Sequence, residues 1–165
     1  MTNGPQRRPL KFNSLEQVLD EAEHIAATGE VNSSGTWTAA QNIDHVARVI
    51  DASVKGFDFT APLHFRIVAR LMKKKFLTGP FKAGIKIPPA ATQAFVPDDG
   101  VSIDDAIARL RDAVRLASQP GAMSQASPIF GPMSEADWVN LHCRHAELHF
   151  GHLFPTPETQ PTVVQ

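Results

Sequence analysis

Apolar residues recur at intervals of three and four positions along much of the chain, which is the pattern of helices that bury one face. The first such stretch begins at Ser14, where Ser14 and Gln17 have the spacing of a capping box, and it ends near Gly29. The second begins around Thr38 and runs to Gly56. Both stretches predict amphipathic helices.

Three further stretches follow the same pattern. One lies between Pro62 and Gly79, one begins at Ser102 and ends before Pro120, and the last begins at Ser134. No alternating pattern is long enough to predict a strand. The chain therefore predicts an all-α fold, a four-helix bundle with a short extra helix and long connecting loops.

The longest connection spans residues 79–100, which have no sustained period and contain four prolines that would break a helix. A connection of more than about 15 residues in a compact domain is often a lid or binding loop. A crossover that wraps the bundle explains the segment equally well.

One domain accounts for the 165 residues, because a chain of this length can bury a single core. We expect a flexible N-terminus over residues 1–12, a helical bundle domain over residues 13–154 and a flexible tail over residues 155–165. The tail is rich in proline and polar residues, a composition typical of disorder.

The charge balance is nearly even, with 16 Lys and Arg against 17 Asp and Glu, which argues against nucleic-acid or anionic membrane partners. We therefore expect a small-molecule substrate, and a possible homodimer if apolar helix faces are left uncovered. Cys143 is the single cysteine and cannot form an internal disulfide. With no complete export signal and no apolar run of about 20 residues, we expect a cytoplasmic protein.

Histidines are concentrated in the last predicted helix, where four of the seven lie between residues 142 and 152. The positions of Trp138, His142, His145, His149 and His152 fall within roughly 80° of arc on a helix, at the spacing of a core-facing seam. Burying several imidazoles without partners costs about 1 to 3 kcal/mol for each polar group. A bound metal ion would supply the missing partner.

His145 and His149 are four residues apart, so their rings can converge on one point from the same side of a helix. A third ligand must come from another helix, and His45 borders the apolar face of the second one. Three neutral imidazoles leave one position open for water, as in catalytic zinc sites. Asn42 lies one turn before His45 and can hydrogen-bond to a ligand.

Other interpretations of these residues remain open. A core histidine is more often hydrogen-bonded than metal-bound. His142 and His152 either hydrogen-bond to the ligands, lie at the mouth of the site or form an alternative ligand pair. Either of these two can also act as a general acid or base, because imidazole titrates near pH 6.5. Cys143 lies roughly 100° or more from the seam, which argues against a thiolate ligand.

Two segments resemble a known family. The sequence SPIFGPMSEADWVNLHCRHAELHFGHLF is similar to the C-terminal pattern of the DUF1569 family, a Pro-x-Phe-Gly turn before a helix with Trp, Leu-His-x-x-His and a further histidine. WTAAQNIDHV is similar to the first metal motif of the DinB-like superfamily. The resemblance implies a DinB-like four-helix bundle with a divalent metal on His45, His145 and His149.

The chain departs from the family's usual residues at three places. It has Leu148 where the family usually has the first of two histidines, Gly151 and His152 where the family has Arg-Gln, and Ser127 where the family has a histidine. The retained His149 keeps the three-histidine site complete, and His152 is a candidate substitute polar group.

The resemblance also implies a class of chemistry, because the DinB-like superfamily includes thiol S-transferases, isomerases and metal-dependent hydrolases. The leading hypothesis is a metal-dependent enzyme with zinc or nickel, and with a low-molecular-weight thiol cosubstrate in the transferase case. The alternatives are a binding protein without turnover in a stress-related accessory role, and a haem-binding bundle.

Overall fold

The computed structural model describes residues 6–79 and 95–156, and helices make up more than half of these residues. Within these residues there are six helices and one short two-stranded sheet. The elements in order are α1 Leu15–Ala27, β1 Val31–Ser33, α2 Ala39–Lys55, α3 Leu63–Leu71, α4 Lys73–Thr78, α5 Ile103–Ala117, α6 Glu135–Phe150 and β2 Leu153–Pro155.

Four helix starts are capped as the sequence predicts. The hydroxyls of Ser14, Thr38, Ser102 and Ser134 each accept a hydrogen bond from the backbone N–H three residues later. At Thr38 and Ser134 the reciprocal bond is also present, which completes a capping box. These caps fix where α2 and α6 begin.

The stretch between Pro62 and Gly79 forms two helices, not the single helix that its spacing predicts. The break lies at Met72, whose φ of −93° and ψ of 2° leave the helical range. The backbone N–H of Met72 still bonds to the carbonyl of Val68, and its own carbonyl accepts from Phe76. Because the apolar spacing continues through Met72, the sequence pattern does not reveal the break.

The all-α prediction omitted a short antiparallel sheet. Strand β1 pairs with β2, with Val31 opposite Pro155 and Ser33 opposite Leu153. Each strand has three residues, which is too short to show an alternating pattern, and the partners lie far apart in the sequence. The sheet ties the segment after α1 to the segment after α6.

The core lies between four of the helices. Helix α2 packs against α1, α5 and α6, and α1 also contacts α5 and α6. All four contribute to the largest fully buried apolar side chains, with Leu153 of β2 as a further member: Val18, Ile25, Ile43, Val46, Ile50, Leu110, Trp138 and Phe150. This packing places one face of α2 directly against the histidine-bearing face of α6. None of the described helices is long and apolar enough to cross a membrane.

The described part of the predicted flexible N-terminus lies against the end of α6. Arg8 forms an ion pair with Glu21 and donates a hydrogen bond to the carbonyl of Leu153. Phe12 is buried, and its backbone N–H donates to the carboxylate of Glu147 at 2.7 Å. Most of the predicted loop over residues 79–100 and most of the predicted tail over residues 155–165 lie outside the described residues.

Candidate metal centre

Three histidines from two helices meet where α2 packs against α6. Each of His45, His145 and His149 offers one ring nitrogen, and these atoms lie within 4.8 Å of one another. Nε2 of His45 lies 3.2 Å from Nε2 of His145, although the two residues are 100 positions apart in the sequence. The structure thus brings together the three residues that the sequence predicts as ligands.

The ring of His45 is held by a backbone carbonyl. Its Nδ1 lies 2.6 Å from the carbonyl oxygen of Phe95. A carbonyl oxygen can only accept a hydrogen bond, so Nδ1 carries the proton and is the donor. The lone pair of neutral His45 is therefore on Nε2, the atom that faces His145. This tautomer is the one in which a histidine binds a metal through Nε2.

Asn42 fixes His149 in the same way. The amide nitrogen of Asn42 donates to the carbonyls of Trp37 and Thr38, so its oxygen must be the atom that faces Nδ1 of His149, at 3.1 Å. This oxygen accepts a hydrogen bond from the protonated Nδ1, so the lone pair of neutral His149 is on Nε2. The predicted hydrogen-bonding role of Asn42 is confirmed, with His149 as its partner.

Trp37 covers one side of the site. Its ring is stacked on that of His149 with centroids 5.7 Å apart, and it lies tilted against His45 at 4.9 Å. The residue directly precedes the N-cap of α2, so the capping box that starts the helix also positions this ring. Trp37 therefore restricts the rings of both histidines.

Burial keeps the three imidazoles uncharged. Burial lowers the pKa of His45 below its ordinary value. It lowers the pKa of His145 and of His149 well below that value, and the neighbouring histidines add to the effect by repulsion between the charged forms. All three rings are neutral at pH 7, which is the form that binds a metal.

The donor set fits a divalent transition metal. In a tetrahedral zinc site with bonds of about 2.0 to 2.1 Å, two ligand nitrogens lie about 3.4 Å apart. The 3.2 Å between Nε2 of His45 and Nε2 of His145 is close to this spacing. Neutral imidazoles suit zinc, nickel, copper and iron, and hard cations such as magnesium prefer oxygen ligands.

His142 lies outside this group of nitrogens and is enclosed in the core. Its ring is stacked on Trp138 at 5.3 Å, and Nε2 lies 3.0 Å from the hydroxyl of Ser53. Because that hydroxyl donates to the carbonyl of Ile50, Nε2 of His142 must be the donor in this pair. Burial lowers the pKa of His142 to about 3.

His152 also stands apart from the group, because α6 ends at Phe150 and His152, the last residue of the predicted seam, lies beyond the helix. Its Nδ1 lies 2.9 Å from the hydroxyl of Ser34, next to the β1–β2 sheet. His152 is partly exposed, and burial followed by the charge of Arg7 lowers its pKa.

Two contributors to the site were not predicted. One is the Phe95 carbonyl, a backbone atom in a segment without helical period. The other is the fully buried carboxylate of Asp44, whose charge partly opposes the lowering of the His45 pKa by burial. Asp44 pairs with Arg48 at 2.6 Å and with Arg109 of α5 at 2.7 Å. Cys143 is buried, with a pKa raised to about 12 by burial, and it is not part of the histidine group, as predicted.

Comparison with known proteins identifies one family. A family model described as "Protein of unknown function (DUF1569)" matches residues 4–156, a range that contains all three convergent histidines. Neither a curated protein nor a solved structure matches the chain significantly.

Proposed function

The chain belongs to the DUF1569 family, and we propose that it is a divalent-metal protein that uses a site on His45, His145 and His149 for catalysis. The observation that carries this proposal is the convergence of three neutral ring nitrogens within 4.8 Å. Two of the rings are oriented by a hydrogen bond on the opposite nitrogen, as metal-binding histidines usually are.

We further propose that the fold is a DinB-like four-helix bundle formed by α1, α2, α5 and α6. The mutual contacts of these helices around one core support it. So does the origin of the three histidines, because bundle proteins build metal sites from side chains on facing helices.

Zinc and nickel are the ions that we expect at this site, because both accept imidazole nitrogen. When bound, such an ion lowers the pKa of a water or a thiol toward neutrality. The reaction classes that we propose are hydrolysis and thiol transfer or isomerisation, the second with a low-molecular-weight thiol as cosubstrate.

The chain's own groups hold the site in its reactive form. The Phe95 carbonyl and the Asn42 amide keep the protons of two rings on Nδ1, and Trp37 shields one side of the site from water. We propose His152 and His142 as the general acid or base. A substrate can reach His152, which is partly exposed, more readily than the enclosed His142. If the His142→Ala and His152→Ala variants both kept the wild-type pH–rate profile, this assignment would be refuted.

Elemental analysis of protein purified without an affinity tag tests the metal site. We expect about one equivalent of metal in the wild type and none in the double variant His145→Ala, His149→Ala. The matched control is His24→Ala, His64→Ala, which removes two exposed histidines and should retain the metal. Equal metal content in both double variants would refute the site.

Activity assays then separate an enzyme from a binding protein. The metal-loaded wild type and the His145→Ala, His149→Ala variant are compared on ester and amide substrates, and on electrophiles with a low-molecular-weight thiol. Turnover by the wild type alone supports the enzyme. Stoichiometric metal without turnover of any substrate class would favour a non-catalytic metal-binding protein.

A further inference from the structure

Helix α3 exposes an apolar surface on its outer side. Leu63, Ile67 and Leu71 are spaced four residues apart, so they lie along one face of the helix, with Val68 beside them. Ile67 is 55% exposed and Leu71 is 83% exposed. Phe65 and Met72 add further exposed apolar area. We call the four residues Leu63, Ile67, Val68 and Leu71 the α3 face.

Large aliphatic side chains rarely form a continuous exposed surface in a monomeric domain unless the surface binds something. Every large hydrophobic side chain that is exposed in the described part of the chain belongs to α3 or to Met72 directly after it. By contrast, Ala69 on the opposite side of α3 is buried and anchors the helix to the domain.

The chain segment that contains the α3 face carries charge of one sign. Between Asp58 and Asp98 the sequence contains seven Lys and Arg residues and no Asp or Glu. Five of the seven lie on α3 and α4: Arg66, Arg70, Lys73, Lys74 and Lys75. Among the described carboxylates only Asp137 pairs with any of these five, through Lys73. The net charge of −1 for the whole chain conceals this local concentration.

We propose that the α3 face docks on an anionic lipid bilayer. Arg66 and Arg70 are four residues apart and flank the aliphatic row, where they can reach lipid phosphates while the aliphatic side chains enter the acyl boundary. A helix with aliphatic residues on one side and Lys or Arg beside them is typical of interfacial membrane binding.

Two other occupants fit these observations less well. A second copy packed face to face would bring the same unpaired cations of two chains together, at a cost in repulsion. Nucleic acid would pair with the cations but would leave the exposed aliphatic side chains against a charged backbone. Only an anionic bilayer complements both the apolar residues and the charge.

Vesicle flotation with the full chain tests the proposal. The vesicles contain phosphatidylcholine alone or phosphatidylcholine mixed with phosphatidylglycerol. We expect binding to the mixed vesicles only, weakened by added salt. Each cation near an anionic bilayer strengthens binding several-fold, so the Arg66→Gln, Arg70→Gln variant should partition roughly thirtyfold less.

Two further variants make the test specific. Lys55→Gln, Arg115→Gln removes the same charge from exposed positions on α2 and α5 and should bind as the wild type does. Ile67→Asn, Leu71→Asn keeps the charge unchanged and should lose binding. All six substituted side chains lie at the surface or its edge, so circular dichroism should show folded proteins.

The proposal is overturned if the wild type does not bind the mixed vesicles at low salt. It is also overturned if the Arg66→Gln, Arg70→Gln variant and the Lys55→Gln, Arg115→Gln variant lose binding equally. A concentration-dependent dimer that the Ile67→Asn, Leu71→Asn variant abolishes, together with no vesicle binding, would instead assign the α3 face to a second copy. Wild-type binding to duplex DNA or RNA without vesicle binding would assign it to nucleic acid.

Discussion

The side-chain oxygen of Asn42 lies 3.1 Å from Nδ1 of His149 and links the first turn of α2 to the last turn of α6. Its amide nitrogen is engaged by the carbonyls of Trp37 and Thr38, so the side chain cannot rotate without losing these bonds. One asparagine therefore sets both the tautomer and the direction of a candidate ligand.

Replacing Asn42 with alanine should weaken metal binding. Without the acceptor at Nδ1, His149 can adopt the other tautomer, which removes the lone pair from Nε2. We expect the affinity for zinc to fall about tenfold to hundredfold, as measured by competition with a chelating dye. Asn140→Ala, at an exposed position on α6, is the matched control. Equal affinities in the two variants would argue against the role of Asn42.

Metal addition should stabilise the protein. At about one hundred times the dissociation constant, an ion that binds only the folded state raises the free energy of unfolding by about 2.7 kcal/mol. We expect zinc or nickel to raise the melting temperature of the wild type and a chelator to reverse the change. The His145→Ala, His149→Ala variant should show no increase. An equal increase in this variant would indicate binding elsewhere.

Acid should destabilise the protein through His142. Its pKa is about 3 in the folded state, and that of an unfolded histidine is about 6.5. The unfolded state therefore binds more protons between these values, so stability falls as the pH falls below about 6.5. Between pH 7 and pH 5, this group alone removes about 2 kcal/mol from the free energy of unfolding.

Urea unfolding with a chelator present measures this contribution. The His142→Gln variant should lose about 2 kcal/mol less than the wild type between pH 7 and pH 5, because all other ionisable groups are common to the two proteins. The control His64→Gln changes an exposed residue and should keep the wild-type pH dependence. If the His142→Gln variant kept it as well, His142 would not be neutral in the folded protein.

Loss of the Asp44 carboxylate should destabilise the packing of α2 on α5. Asp44 is fully buried and pairs with both Arg48 and Arg109. Both arginines reach solvent after its removal, so we expect Asp44→Ala to cost about 3 kcal/mol, at the lower end for a buried ion pair. Chemical denaturation measures this loss.

The matched control for Asp44 is Asp112→Ala. Asp112 pairs with Arg115 on the exposed side of α5. Its removal should change the free energy of unfolding by about 0.5 kcal/mol or less. Similar losses in the two variants would contradict the structural role of Asp44.

Local chemistry explains which features were predictable. The hydroxyls of Ser14, Thr38, Ser102 and Ser134 cap helices through atoms three residues away, so the sequence alone reveals them. The pairing of His145 with His149 follows from helical spacing. His45 was predicted as the third ligand because it lies beside the apolar face of the second helix, and because the family resemblance selects it.

Features that depend on distant partners were not predictable. Spacing placed His142 in the same seam as His145, yet its ring bonds to Ser53 and stacks on Trp138. His152 lies beyond the end of α6, and spacing does not show where a helix stops. The Phe95 carbonyl and the β1–β2 sheet have no side-chain pattern at all, because backbone atoms of any residue could form them.

The separation of 100 residues between His45 and His145 bears on the order of events during synthesis. A growing chain exposes His45 long before α6 has left the ribosome, so the nascent N-terminal part offers only one of the three ring nitrogens. The full set exists only after α6 has emerged and packed on α2. The complete set of three ring nitrogens, which the proposed metal binding requires, is thus a late product of biogenesis that only the finished fold provides.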